Sequence, residues 1–286
     1  MKRSLQTPVR CIALAALLAC STAFADGSSF TFSTGSPDGK IGMASRVAGA
    51  SGIEIEAADD FVLAQHTNID RASFTGLLPA GVSASDVAAV RLEIYKVFPG
   101  DSQDPPSGRV PTRANSPGDV ALAERENTDL SYTVSLLNSS YTTANSVVNG
   151  INALPGIFTS GEGAVTGSEV RFDVALNSAF DLQAGHYFFV PQVDLGSKGT
   201  FLWLSAPKPI TGGTGPFTGD LQAWIRDTNL APDWLRVGTD ITHQGPFNGS
   251  FELSGEVAAV PEPHTYALML AGLFSIGVIM RRRGRR

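Results

Sequence analysis

Cysteine is nearly missing from this sequence. Only Cys11 and Cys20 carry a thiol among 286 residues, and both lie in the first 25. A chain processed behind residue 25 would hold no disulfide, so its stability would have to come from a buried core. Histidine is as scarce. Between the two ends only His66, His186 and His243 occur, too scattered to suggest a metal site or a triad. No G-x-S-x-G, H-E-x-x-H, phosphate-loop or C-x-x-C pattern is present, which removes the commonest hydrolase, zinc-peptidase, nucleotide and redox classes. In "GEGAVTG" the glycines Gly161, Gly163 and Gly167 miss the dinucleotide spacing, and the stretch reads as a loop. What is left for catalysis is pairs of carboxylates, Glu54 with Glu56 and Asp59 with Asp60. These would suit a secreted carbohydrate-active enzyme of glycosidase type only at the right separation. The main expectation is a protein without catalytic activity.

Basic residues are thin in the middle of the chain. Lys2, Arg3 and Arg10 stand at the front, and Arg281, Arg282, Arg283, Arg285 and Arg286 at the back. Residues 26–258 thus keep 13 of the 21 basic residues and 26 of the 27 acidic ones, a net charge of −13. Such a body is repelled by nucleic acid and by anionic membrane surfaces, so neither is expected as a partner.

The two ends are of another kind. "MKRSLQTPVR" is basic, "CIALAALLA" is apolar, and Ala23-Phe24-Ala25 is a small-residue cleavage site. Residues 1–25 therefore read as a signal peptide, cut by signal peptidase between Ala25 and Asp26. The alternative is a lipobox at Leu17-Leu18-Ala19-Cys20, with Cys20 lipidated. The chain ends "VPEPHTYALMLAGLFSIGVIMRRRGRR", and residues 265–280 contain no charge. As a helix this run spans roughly 24 Å. That is short of a hydrocarbon core of about 30 Å, a gap the flanking arginines can bridge by reaching to the headgroups. The run predicts a transmembrane helix over 265–280, arginines inside. A buried C-terminal helix of the fold is the other reading, and the lack of a polar face speaks against it.

Val260-Pro261-Glu262-Pro263, then an apolar helix, then Arg281, Arg282 and Arg283 resembles the PEP-CTERM sorting signal in content and order. The resemblance covers residues 260–286. It implies that Pro261, Glu262, Pro263 and the arginines are read by exosortase, a membrane-embedded peptidase of bacteria that secrete polysaccharide. The implied destination of the body is the cell surface or the extracellular matrix, with the C-terminal helix as membrane anchor until processing.

Between the ends, short segments rich in β-branched and aromatic residues alternate with Gly, Pro, Asn and Asp. "SGIEIEA", "AVRLEIYKVF", "LSYTVSLL", "EVRFDVAL", "AGHYFFVPQV" and "GSFELSG" are examples, and they predict an all-β body over 26–258. Its expected form is a jelly-roll-like antiparallel β-sandwich, flanked by the signal peptide (1–25) and the sorting tail (259–286). Two stretches have helical character, "SASDVAA" with Ser83 as cap and "TTANSVVNGI" ending near Gly150. Phe98 to Asp119 is dense in Pro, Gly and Ser and reads as a long loop. "ADDFVL", "VRLEIYKVFPGD" and "FDLQAGHYFFVPQV" are similar in order to strands of the accessory β-sandwich domains of PEP-CTERM proteins, which supports the fold.

Two ligand readings follow. In "LQAWIRDTNLAPDWLRVG", alternation puts Trp224 with Arg226, and Trp234 with Arg236, on one side of paired strands. Trp224 and Trp234 could stack on polysaccharide while Arg226, Arg236, Asp227 and Asp233 bind its hydroxyls. The reading the pattern favours is plainer: the rings pack beneath a loop or second sheet with Arg stacked over them. No cofactor is expected unless it is calcium, for which Asp101 and Asp104 in the long loop are the candidate ligands, with Asp38, Asp59 and Asp60 behind them.

Overall fold

A computed structural model describes residues 28–49, 52–98, 108–149, 151, 158–207, 222–258 and 263–283. The signal-peptide reading of 1–25, its cleavage point at Ala25 and Asp26, and Cys20 all lie outside them. So do Asp101, Asp104, Pro261 and Glu262.

Ser29–Ala258 forms one compact unit. Its strands are, in chain order, β1 (Ser29–Ser33), β2 (Ile41–Ala44), β3 (Ile55–Leu63), β4 (Thr67–Pro79), β5 (Ala89–Lys96), β6 (Ala123–Glu126), β7 (Leu130–Thr143) and β8 (Asn145–Val147). They continue with β9 (Val165–Leu182), β10 (Gly185–Asp194), β11 (Leu202–Ala206), β12 (Trp224–Asp227), β13 (Leu235–Arg236), β14 (Asn248–Gly249) and β15 (Phe251–Val257). The body is all-β, as its segment pattern implies. One sheet has nine strands: β1-β15-β4-β11-β2-β8 in order, with β14 on β11, and β9 then β7 extending from β4. The other has six, ordered β13-β12-β3-β10-β5-β6.

Alternation along the strands sends one set of side chains between the sheets. Phe74 stacks on Phe172 at 4.8 Å within the larger sheet. Phe189 of the smaller sheet meets Phe251 at 5.1 Å and Trp203 at 6.2 Å from the larger. All five are buried. Gly76 is required here, because a Cβ at this position would collide with the ring of Phe201, which fits edge-on against Phe74 and Phe172. With no cysteine among the described residues, this aromatic core is what offsets the entropy of ordering the chain.

Two details depart from the sequence reading. "TTANSVVNGI" is not helical over its described residues: it finishes β7 and forms β8, which pairs with β2 in parallel, an exception to a wholly antiparallel sandwich. The cause is local. Val147 is β-branched and fully buried, and the Asn145 side chain accepts hydrogen bonds from the N–H groups of Ser146 and Gly163, both at 2.9 Å. That side chain competes with helical bonding and fixes the segment at the sheet edge. "SASDVAA" provides a single 3₁₀ turn, Ala84–Asp86. Ser83 does precede it, its N–H donating to the Asp86 carboxylate at 2.8 Å.

In the C-terminal segment, α1 runs Pro263–Arg283, longer at both ends than the uncharged run. Pro263 takes the first helical position, where a missing N–H costs nothing. Arg281, Arg282 and Arg283 form the last turn, which favours cations. Met269, Leu270, Leu273, Phe274, Ile276 and Met280 on it are exposed. Among the described residues no helix is long and apolar enough to cross a membrane.

Candidate functional site

The Trp-x-Arg strands pair as their alternation suggests, with Trp224 opposite Arg236 and Ile225 opposite Leu235. Ala223, Ile225, Leu235 and Val237 enter the main core. Trp224 and Trp234 point to the other side of the six-stranded sheet, where they join Ala58, Tyr95, Phe188 and Val190 in a second apolar cluster. Both rings are buried, at 2% and 0% exposure. A sugar needs an open ring face, so the structure sets aside the platform reading of Trp224 and Trp234 in favour of the plainer one: the rings are buried beneath a cover. Their cover is the segment from Gly108 to Leu122. Trp234 Nε1 donates to the Gly118 carbonyl at 3.2 Å, Ala121 packs on the cluster, and Arg113 pairs with buried Asp233 at 3.1 Å. The Arg226 guanidinium lies 4.3 Å from the Trp234 ring centre. Asp227 accepts the N–H groups of Asn229 and Leu230, both at 2.9 Å, and shapes the turn between the strands. Arg236 is held by Asp240, with contacts of 2.6 and 2.9 Å. The six candidate ligand-binding residues are thus brought close together, but around the closure of a mini-core.

Under the same cover lies a polar network. Arg226 grips Glu56 with two nitrogens and donates to the Tyr95 hydroxyl at 3.0 Å. Tyr95 in turn donates to Glu56 at 2.5 Å. Beside them Glu93, itself 6% exposed, accepts from the Tyr95 hydroxyl at 3.4 Å. Burial, then the charge and hydrogen bond of Glu56, pushes Glu93 up from 4.5 to about 8. Burial, with Glu56 and Glu93, also pushes Tyr95 up. Burial alone would lower Arg226, but Glu56, Tyr95 and Glu93 outweigh it and leave its pKa raised. A carboxyl group with raised pKa beside a second carboxyl group resembles an acid–base pair, yet Glu56 and Glu93 are both 6% exposed. Glu93 stays protonated in the folded chain up to about pH 8, whereas the unfolded group ionises near 4.5. Its contribution is therefore complete below pH 4.5 and is lost as pH rises through 8. Glu93→Gln is expected to flatten this slope and to exceed the native chain in stability at pH 8 by roughly 1–3 kcal/mol. Urea unfolding at pH 5, 6.5 and 8 measures it, and parallel slopes for both proteins would refute the assignment.

The other carboxylates are also engaged by protein donors. Glu54 accepts from Arg91 at 3.2 Å and Gln192 at 3.1 Å, and Asp59 from the Gly249 N–H at 2.9 Å. Asp60 lies 2.6 Å from His186. Asp38 accepts from Ser205 at 2.5 Å. Among the described residues no group of three His, Cys, Asp or Glu side chains converges as a metal site.

The outer face of the nine-stranded sheet is open instead. There the registers of β1, β15, β4, β9 and β7 align outward residues in rows. One row reads Ser33–Glu252–Ser73–Asp173–Thr133, with Ser73 buried at its floor, and its neighbour Thr31–Ser254–Arg71–Ala175–Ser131. A groove of about 480 Å³ follows them, and a second of about 300 Å³ adjoins it, both touching Ser73, Arg171 and Glu252. Arg171 pairs with Asp173 at 2.8 Å and reaches Glu252 at 4.0 Å. The sequence carried a signal for this face that the aromatic-centred reading passed over. "DRASFTG", "EVRFDVAL", "LSYTVS" and "FELS" each place charged or hydroxyl side chains at every second position.

No protein-family model matches the chain, and no curated protein matches it. Among solved structures, the chain is similar to the cysteine protease and lectin-like domains of Cwp84, a surface layer associated protein of Clostridium difficile. Sequence identity is 12% and the TM-score 0.35, over 72% of this chain and 33% of that one. This chain therefore spans about a third of the length of that structure.

Proposed function

We propose that this is an exported, non-enzymatic protein of the cell surface or extracellular matrix, with a jelly-roll-like β-sandwich body processed through a PEP-CTERM tail by exosortase. The observation that carries the reading is the order of the tail: Pro261-Glu262-Pro263, an apolar run, then Arg281, Arg282 and Arg283. The placement of α1 supports it, because the helix begins on Pro263 and ends in those arginines. In this reading the helix anchors the precursor in the membrane, with the arginines reaching the headgroups to compensate for a short apolar run. The non-enzymatic reading is supported by the burial of Glu56 and Glu93, each 6% exposed. Replacing Pro261, Glu262 and Pro263 together with alanine is expected to leave the tail on the protein in cells containing exosortase, as deletion of exosortase would. The measurement is intact mass of the protein recovered from each strain. Normal maturation under both changes would overturn the reading.

A further inference from the structure

We infer that the open face of the nine-stranded sheet is a binding site for a neutral, hydroxyl-rich polysaccharide, entered along the groove over Arg71, Ser73, Arg171, Asp173 and Glu252. The inference rests on the exported-surface reading for its setting and on the geometry for its chemistry. A pyranose hydroxyl both donates and accepts, so a surface that binds several of them must offer both roles close together. The rows do so. Arg71 and Arg171 donate, Asp173 and Glu252 accept, and Ser131, Thr133 and Ser254 do either.

Spacing supports the same ligand. Side chains within a row recur at the strand separation of about 4.8 Å, close to the length of one pyranose unit. Five strands could therefore meet several successive sugars of one chain. The groove's volume of about 480 Å³ falls in the usual range for ligand sites. Arg71 is exposed and makes no hydrogen bond or ion pair among the described residues, so its donors can serve a ligand without breaking a contact.

Charge selects the glycan class. Two guanidinium groups face two carboxylates in the groove, and the body around it is strongly acidic, with 26 acidic against 13 basic residues in 26–258. A polyuronate would be repelled at long range and would find Arg171 already held by Asp173. Tyr132 lines the groove, but its ring packs on Phe172 at 6.3 Å. Binding therefore depends on hydrogen bonds rather than ring stacking, and a single short oligosaccharide binds weakly while a long chain gains from repeated contacts.

The test uses the full chain on a microarray of neutral hexose oligosaccharides of increasing length and of oligouronates. Binding is expected to neutral glycans and to strengthen with length. Arg71→Ala should weaken it about tenfold, since its hydrogen bonds are charge-assisted, and Thr133→Val about threefold. Melting temperatures should stay at the native value, as both side chains are exposed. Unchanged binding in both variants, preference for oligouronates, or failure to bind any of these glycans would each overturn the site. Tail maturation, scored in the producing cells, reports separately on the exported-surface reading: a processed protein with no glycan binding sinks the groove alone.

Discussion

Trp234→Ala is expected to lower stability by about 3–5 kcal/mol, the cost of removing a large ring from a closed, well-packed site. Trp234 is fully buried, lies edge-on to Tyr95 at 5.4 Å and carries Arg226 on its face at 4.3 Å. Its Nε1–H also ties down the Gly118 carbonyl. The substitution thus removes apolar burial, a ring pair and one clasp of the covering segment at once. Chemical denaturation should show the full loss, with increased protease sensitivity between Gly108 and Leu122. Glycan binding by the fraction that remains folded should be native, because the ring belongs to the other sheet. A variant of native stability with weakened glycan binding would restore the stacking platform and remove the mini-core.

How far the sequence foretold this arrangement depends on the range of the interactions involved. Alternation is local, and it correctly separated Ala223 and Ile225 from Trp224 and Arg226, and Leu235 from Trp234 and Arg236. Richness in β-branched and aromatic residues, equally local, marked β5, β7, β9, β10 and β15. Burial of the Trp face was not local. It depends on Gly108–Leu122 folding back over a sheet whose strands lie far apart in the chain, as the Arg113–Asp233 pair does. The network of Glu56, Glu93, Tyr95 and Arg226 gathers residues from β3, β5 and β12 by register alone. "LEIYK" shows the outward pair Glu93 and Tyr95, but only strand order places Arg226 beside them. The groove was hidden for a related reason. Its residue types are ordinary surface residues, and they become a site only when five strands set them in rows.

The second large effect is expected from Arg226→Leu. This change leaves the Glu56 carboxylate buried without the guanidinium that grips it, and losing one partner of a buried ion pair typically costs about 3–5 kcal/mol. Here the cost should reach the upper part of that range, because Arg226 also donates to Tyr95 at 3.0 Å, to the Asp119 carbonyl at 3.1 Å and to the Pro232 carbonyl at 3.3 Å. Those acceptors would lose a charged donor, the Tyr95 hydroxyl in a buried place and the two carbonyls in a part-buried one. The double variant Arg226→Leu with Glu56→Leu decides what the pair contributes. With both charges gone, no uncompensated carboxylate is left, and stability should recover by at least about 2 kcal/mol over the single variant. Equilibrium denaturation of the two singles and the double completes the cycle. A double variant no more stable than Arg226→Leu would mean that the carbonyl contacts and the packing on Trp234, rather than the charge pair, hold this face closed.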